Sequence, residues 1–362
     1  MKFKKTIYFL IIYITILFII DIVIDFTDLD IKILRKTLYT ESLGWKYDHG
    51  KEIFRDAEDP ELLYELNPGV KDTHRSGRNP KDTNKKPVKI SINEFGFRDK
   101  SRKKEKPPDT YRIVILGGSN TFGPTVDDDE TYPDVMEELL NSRNKGKFEV
   151  WNAGLNAYVL SQKVLLAEKI INDYNPDMLI FQLANTGRRA FFGKTVLEGG
   201  DLKYFFKRNK NLYMENIPCL ISDNKLVIKI HYYFVSHWQL YRVISTVINT
   251  GVIALSRNTG FFKNIEEKYR YYGDVISERY FRSFAKKHKN NKNLIIVKYY
   301  PGIMKNIPKK TIIWKEDDYG IPELYINASE KPEIFGHLHP PAYVYKWHAA
   351  KIISALSEKN FF

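Results

Sequence analysis

A serine directly follows two glycines at the end of a short apolar run. The run is "RIVIL" (112–116), and Gly117, Gly118 and Ser119 come next, followed by "NTFG". Glycines at the end of a strand permit a tight turn, and a hydroxyl at the tip of such a turn is a candidate nucleophile. The same turn could instead cradle a phosphate or begin a helix that the serine caps.

The residues around this turn do not complete any of three common motifs. A P-loop requires a lysine, and none follows Gly123. The dinucleotide pattern G-x-G-x-x-G is absent, and Thr121 replaces the last glycine of the nucleophile elbow G-x-S-x-G. The pattern that remains is Gly117-x-Ser119-x-Thr121-x-Gly123 after a strand.

Apolar runs alternate with helical patterns from residue 111 to the C-terminus. Runs typical of strands cover 112–116, 148–154, 177–185 and 293–302, and helices are predicted over 127–142, 161–174 and 340–359. This alternation predicts an α/β fold with three layers, in which a mostly parallel sheet is covered by helices on both faces. Ligands bind at the carboxyl edge of such sheets, where Ser119 is expected.

The N-terminus predicts a membrane anchor. Lys2, Lys4 and Lys5 precede an apolar run from Thr6 to Ile24, and roughly 19 helical residues span about 28 Å, close to the hydrocarbon thickness of a bilayer. A cleaved signal peptide is the alternative, but its apolar core would be shorter and would end in small residues. The lysines before the run place residues 1–5 in the cytoplasm and the rest of the chain outside it, in the periplasm or at the cell surface.

Composition shifts divide the remaining chain. Residues 25–110 are predicted to form a stalk and linker with a short strand pair in "VKISINEFGFR" (88–98), because proline, glycine and charged residues dominate the rest. The globular domain is predicted over 111–362. An aromatic-rich segment at about 187–290 breaks the strand–helix alternation and is predicted to be an insertion, either a cap or additional helical packing.

Charge and cysteine content exclude several classes of site. The formal net charge is +13, which fits a lysine-rich surface or attraction to anionic lipid or glycan. No zinc-finger spacing or RNA-binding aromatic motif is present, so nucleic acid is not an expected partner. The only cysteine is Cys219, and the sequence predicts neither a metal site nor a cofactor.

The order of four short blocks resembles that of the SGNH (GDSL-type) hydrolases, and in particular their membrane-anchored bacterial members. The lead-in "NEFGFRD" is similar as well, as are "YRIVILGGSNTFG" and "DDDETYP". The resemblance covers about 85–362 and is weakest over the insertion. It implies a flavodoxin-like SGNH hydrolase domain over 111–362.

The resemblance also implies a role for one residue in each block. Ser119 would be the nucleophile and His339, in "HLHPPAY", its general base. The N–H groups of Ser119 and of Gly154, in "WNAG", would form an oxyanion hole with the side-chain amide of Asn185, in "LANT".

Two positions depart from the pattern of the family. Thr186 follows Asn185 where the family usually has Asp, and Gly336 stands three residues before His339, where the family usually has the Asp that orients the histidine. The alternatives are Glu333, which is favoured, or Glu330; a backbone carbonyl that would leave a Ser–His dyad; or a carboxylate more distant in the sequence, Asp317 or Asp318.

These expectations favour an extracytoplasmic serine esterase or deacylase. Its substrate would be an acyl ester, for example an acetyl ester, of a surface glycan or lipid. Two alternatives remain open at this point: an acyltransferase that passes the acyl group to a polysaccharide, and a non-catalytic domain that binds a glycan or a partner.

Overall fold

The computed structural model of the protein describes residues 2–30, 33, 53–59, 62, 64–71, 73–75, 88–143, 147–156, 158, 160–183, 217, 219–220, 222, 224–259, 280–301, 321–326 and 340–361. The chain divides into two compact units. One comprises Met1–Lys46 and Val196–Gly273, and the other comprises Tyr47–Thr195 and Asp274–Phe362.

The strands in chain order are β1 (Phe54–Asp56), β2 (Tyr64–Leu66), β3 (Thr73–Arg75), β4 (Val88–Ile90), β5 (Thr110–Gly117), β6 (Lys147–Gly154), β7 (Met178–Gln182), β8 (Ile295–Pro301) and β9 (Glu323–Ile326). The helices are α1 (Lys2–Thr27), α2 (Ser119–Phe122), α3 (Tyr132–Arg143), α4 (Leu160–Tyr174), α5 (Lys225–His237), α6 (Gln239–Thr259) and α7 (Ala342–Glu358). Residues 280–288 are also helical.

A parallel sheet forms the centre of the second unit. Its strand order is β6-β5-β7-β8-β9, and all four neighbouring pairs are parallel. The predicted α/β class is confirmed. The four strands expected from the sequence are present, and β9 extends the sheet beyond them at one edge.

Helices cover both faces of this sheet, as the three-layer prediction requires. One face packs against α4 and the 280–288 helix through residues such as Val164, Ile170 and Phe281. The other face packs against α3 and α7 through residues such as Met136 and Ile352. Because both faces are covered, central strands such as β7 are buried along their whole length, which explains their uninterrupted apolar sequences.

Two short antiparallel ribbons, β1–β2 and β3–β4, precede the sheet in the sequence. They lie in the stretch expected to form the stalk and linker, and the structure places them in the same unit as the sheet. The Phe54 ring lies 6.3 Å from the Phe122 ring of α2. Tyr64 Oη donates to Asn156 O at 2.7 Å, and Gln162 Nε2 donates to Leu62 O at 2.8 Å.

The first unit contains α1 and two consecutive helices, α5 and α6, which together are called the α5–α6 pair. Within α1, Lys5–Thr27 is long and apolar enough to cross a membrane, and a signal sequence near an N-terminus can also meet this criterion. Most of its apolar side chains are exposed. In the sequence of the insertion, one aromatic-rich stretch over 226–248 divides into α5 and α6 at Trp238.

Candidate active site

Ser119 is the first residue of the single helical turn α2, which follows directly on the buried strand β5. Gly118 is the N-cap of this turn, and Gly123 ends it with a left-handed backbone (φ 76°) and a hydrogen bond of 2.8 Å from its N–H to Ser119 O. The turn therefore lies at the carboxyl edge of the parallel sheet, where such folds bind ligands. Ser119 is partly exposed there.

The absence of side chains at Gly117 and Gly154 allows this turn to pack on the sheet. The two glycines are paired in register on neighbouring strands. A Cβ on Gly117 would collide with the Thr121 side chain, and a Cβ on Gly154 would collide with the backbone at Thr121 and Phe122. The glycine-rich sequence around Ser119 is thus explained by the close approach of α2 to the ends of β5 and β6.

A buried polar network lies beneath the turn. Gln182 Oε1 accepts hydrogen bonds from Thr121 Oγ1 at 2.6 Å and from Gly118 N at 3.4 Å. Because the Thr121 hydroxyl gives its proton to Gln182, the Tyr132 hydroxyl, 2.8 Å away, is the donor in the Tyr132–Thr121 bond. Asn152 Nδ2 donates to Thr121 O at 2.9 Å. The network therefore fixes α2 from below.

Lys163 is a buried cation at the edge of the same network. It lies on α4, and its Nζ donates to Gln182 O at 2.8 Å. Burial lowers the pKa of the Lys163 amine to about 8, because the charged form loses its hydration.

Arg98 holds α2 from the side of β4. Its guanidinium is fully buried and donates to the carbonyls of Phe122 and Val126, both at 2.6 Å, and to that of Gly123. It also donates to Lys89 O at 3.1 Å, and its Nε pairs with Asp128 at 3.2 Å. The carbonyls at the end of the short helix, which have no partners inside it, are satisfied in this way.

Asp99 connects the same segment to β6. Its Oδ1 accepts from Arg102 Nη2 at 2.9 Å, and its Oδ2 accepts from Asn152 N at 3.4 Å. In the sequence, "NEFGFRD" resembles the lead-in of the family, and this resemblance predicts no role for Arg98 or Asp99. The signal that could have indicated a role is the pair of charged residues directly after the turn-like segment "EFGF".

The two predicted backbone oxyanion donors differ in their surroundings. Ser119 begins α2, so its N–H has no acceptor within the helix. The N–H of Gly154 donates to Asn152 Oδ1 at 3.0 Å. Gly154 must give up that bond before it can stabilise an oxyanion.

The predicted residues Asn185, His339 and Glu333 lie outside the described residues, but the chain beside two of them is described. Leu183, two residues before Asn185, donates its N–H to Tyr299 O at 2.7 Å, beyond the last residue of β7. Pro340, which follows His339, accepts a hydrogen bond of 3.0 Å from Thr125 Oγ1. Thr125 is two residues beyond the end of the Ser119 turn.

His348, a second histidine near the C-terminus, belongs to the core. It is 4% exposed and lies on α7 among the rings of Tyr132, Tyr299 and Trp347. Burial lowers the pKa of its imidazole to about 4. Among the described residues, no group of three or more metal-ligating side chains is arranged to hold a metal ion.

No protein-family profile and no curated protein sequence matches the chain. Solved structures with similar strand–helix arrangements include esterases and proteins of the SGNH or GDSL families. One is the esterase EstA from Pseudoalteromonas sp., with 9% identity and a TM-score of 0.38 over 68% of this chain and 97% of that one. Another is a GDSL-family lipolytic protein from Desulfitobacterium hafniense, with 12% identity and a TM-score of 0.36 over 68% and 99%.

A third structure is the SGNH esterase AlinE4, with 12% identity and a TM-score of 0.32 over 70% of this chain and 96% of that chain. At these identities and TM-scores, the likeness carries no argument about the reaction of this chain. The function is therefore argued from the residues of the site.

Proposed function

We propose that the protein is an extracytoplasmic serine esterase that removes acyl groups, for example acetyl groups, from a surface glycan or lipid. The observation that carries this proposal is the position of Ser119, at the first residue of a turn that two glycines, a buried polar network and Arg98 hold at the carboxyl edge of the sheet. A turn whose serine only capped a helix would not require the two glycines, the polar network and Arg98 to hold it in place.

In the proposed reaction, Ser119 Oγ attacks the ester carbonyl as His339 takes its proton. The carbonyl oxygen becomes an oxyanion, which the Ser119 N–H and the Asn185 side chain stabilise, with Gly154 as a further donor once it leaves Asn152. His339 then returns the proton to the leaving alcohol. Water repeats the sequence on the acyl-enzyme and releases the acid.

The bond between Thr125 and Pro340 supports His339 as the base. It holds the residue next to His339 near the loop that follows α2. His348 lies buried among aromatic rings, which makes it a poor candidate for the same role.

The substrate class follows from the proposed location. An anchor at α1 would keep the site outside the cytoplasm, where acyl esters on glycans and lipids are available. The net charge of +13 favours anionic surfaces of this kind.

The test of the nucleophile is Ser119→Ala, with Ser142→Ala as the matched control. Ser142 is an exposed serine on α3 that donates to Leu139 O. We expect Ser119→Ala to lower hydrolysis of 4-nitrophenyl acetate by about 10⁶-fold and to abolish labelling by a fluorophosphonate probe. Ser142→Ala should behave as wild type. A wild-type protein that neither hydrolyses the ester nor takes the label would contradict the proposal and favour a binding role.

The group that orients His339 is tested by Glu333→Gln, with Glu138→Gln, at an exposed position of α3, as the control. If the Glu333 carboxylate orients the imidazole, kcat should fall by about 10³–10⁴-fold with no change in the melting temperature. Unchanged kcat in both variants would favour the Ser–His dyad.

Release of the acyl group to an added sugar, in preference to water, would identify the acyltransferase alternative.

A further inference from the structure

Helix α6 distributes its apolar and polar side chains in the reverse way to a surface helix of a soluble protein. Among its described side chains, the large exposed ones are apolar: Ile244 at 47%, Val247 at 56%, Ile248 at 47% and Leu255 at 53% exposure. Their spacing of three, four and seven residues places them along one side of the helix. Soluble helices turn such a stripe towards the protein core.

The residues between them on α6 are polar and buried. Ser245, Thr246 and Asn249 are each less than 9% exposed, as is Arg242 at the start of the helix. Helix α6 thus turns its polar side inward and its apolar side outward. This arrangement is stable where the outer medium is hydrocarbon, since exposed apolar side chains gain nothing from facing water.

The neighbouring helix α5 also has exposed apolar side chains. Leu226, Val227, Ile230 and Tyr233 are exposed there, while His231 is buried. Neither α5 nor α6 contains an acidic residue. Lys225 and Lys229, which are both exposed, are suited to anionic lipid headgroups.

The start of α6 is bonded to the end of α1. Three acidic side chains of α1 and the residues after it accept hydrogen bonds from the beginning of α6. The bonds are Leu240 N to Asp21 Oδ1 at 2.7 Å, Gln239 Nε2 to Asp25 Oδ1 at 3.0 Å, and Arg242 Nε to Asp30 Oδ2 at 2.7 Å. The start of α6 therefore lies beside the end of the helix that is long and apolar enough to span a membrane.

We propose that the α5–α6 pair is a membrane-binding element whose exposed apolar side chains contact the acyl chains of the leaflet from which α1 emerges. The proposal rests on the outward orientation of α1 in the proposed function. The occupant is lipid, because the exposed apolar side chains belong to a helix pair that is bonded to the end of α1 and that carries lysines without acidic residues. Trp238, 49% exposed at the junction of the two helices, is the residue type that collects at the membrane interface.

The α5–α6 pair does not cross the membrane in this arrangement. Both helices lie in the sequence between β7 and β8, which are hydrogen-bonded neighbours in one sheet, so both ends of the insertion lie on the same side of the bilayer. Two membrane-spanning helices would also meet this requirement, but α5 has 13 residues and is about 20 Å long, which is too short for a hydrocarbon core of about 30 Å. Helices that lie in the interface of one leaflet meet both conditions.

The test uses the full chain in nanodiscs of phosphatidylcholine and phosphatidylglycerol, with one copy in each disc. A cysteine is introduced by Val247→Cys, Ile248→Cys or Leu255→Cys and is labelled with an environment-sensitive nitrobenzoxadiazole dye. Wild type is the labelling blank, because its only cysteine, Cys219, is buried. Ser142→Cys, on the exposed part of α3, is the control for a position in water.

We expect the three α6 labels to emit at shorter wavelength than the Ser142→Cys label. Doxyl lipids should quench them severalfold more strongly, and a water-soluble quencher should quench them severalfold less. Labels that respond to both quenchers as the control does would overturn the proposal, and would favour a second copy or another protein as the natural cover. Labels shielded from both quenchers would overturn it as well. Esterase activity, measured in the same discs, reports separately on the proposed function.

Discussion

Gly154 shows how a residue identified for one role can have another. The resemblance made it an oxyanion donor, and the structure shows that its missing side chain makes room for the backbone of α2. Gly154→Ala should therefore reduce stability by about 1–3 kcal/mol, as overpacking does, and reduce esterase activity through displacement of Ser119. Urea unfolding and ester hydrolysis measure the two effects.

The control for that prediction is Gly251→Ala. A Cβ on Gly251, in α6, would have no atom within 4 Å apart from those of its own stretch of helix, so the added methyl group should not lower the free energy of unfolding. A Gly154→Ala protein as stable as wild type would show that α2 can move away without cost.

Lys163 provides a pH-dependent prediction. Its pKa is lowered from 10.5 to about 8 by burial, so between these values the unfolded chain holds a proton that the folded chain does not. Stability must therefore rise with pH in this window, by about 3 kcal/mol at most. Lys163→Met should remove this rise when its free energy of unfolding is compared with that of wild type from pH 7 to pH 11.

The matched variant is Lys169→Met, at an exposed position of the same helix. It should leave the pH dependence of wild type intact. Identical profiles for Lys163→Met and wild type would mean that Lys163 is charged and solvated in the folded protein.

The sequence predicted the Ser119 turn because its information is local. A strand, two glycines and a hydroxyl are adjacent in the chain. The support beneath the turn could not be predicted in the same way, because Gln182 and Lys163 lie 61 and 19 residues away from their partners Thr121 and Gln182. Only the strand order brings them together.

At the scale of elements, the segment that ends at Arg98 anchors α2. Arg98→Lys should cost about 3–5 kcal/mol, the range for breaking a buried charged network, because one ammonium cannot satisfy carbonyls spread over a guanidinium fork. The free energy of unfolding measures the loss, and ester hydrolysis should fall with it.

Arg55→Lys is the control for this exchange. Arg55 pairs with Glu65 at 2.6 Å, but its side chain is 41% exposed, and exposed pairs contribute about 0–1 kcal/mol. If Arg98→Lys and Arg55→Lys lower the free energy of unfolding by the same amount, the contacts of Arg98 with the carbonyl groups contribute little to stability.

The central strands were predictable because both of their faces are buried. Their sequences are apolar at consecutive positions, whereas a strand with one solvent-exposed face alternates apolar and polar residues. The edge strand β9 has four residues and did not stand out in the sequence. The ribbon β1–β2 was missed for a related reason, since charged residues follow Phe54 directly and Glu65 separates the buried residues Tyr64 and Leu66.

At the scale of the whole molecule, the prediction concerns orientation. A reporter that is active only outside the cytoplasm, fused after Phe362, should be active, because lysines precede the apolar run of α1. A reporter that is active only in the cytoplasm should be silent there and active when fused before Met1. The protein should also remain in the membrane after carbonate extraction.

The opposite pattern of reporter activity would place the site in the cytoplasm and contradict the proposed location. Release of the protein by carbonate would instead indicate that α1 is a cleaved signal sequence. Neither result would affect the arrangement of residues around Ser119.

The bond between Arg242 and Asp30 joins residues 212 positions apart, and this separation has a consequence for synthesis. A ribosome adds about 5–20 residues per second, so α1 is synthesised roughly 10–40 s before α6, the helix that it contacts. During that interval β5, β6 and β7 are made, while β8 is still missing. The unit that contains α1 cannot close until residues 47–195 of the other unit have been translated, and the sheet cannot close until the residues after Gly273 follow. The newborn chain therefore passes through a stage in which the acidic end of α1 and the edge of β7 are both without their partners.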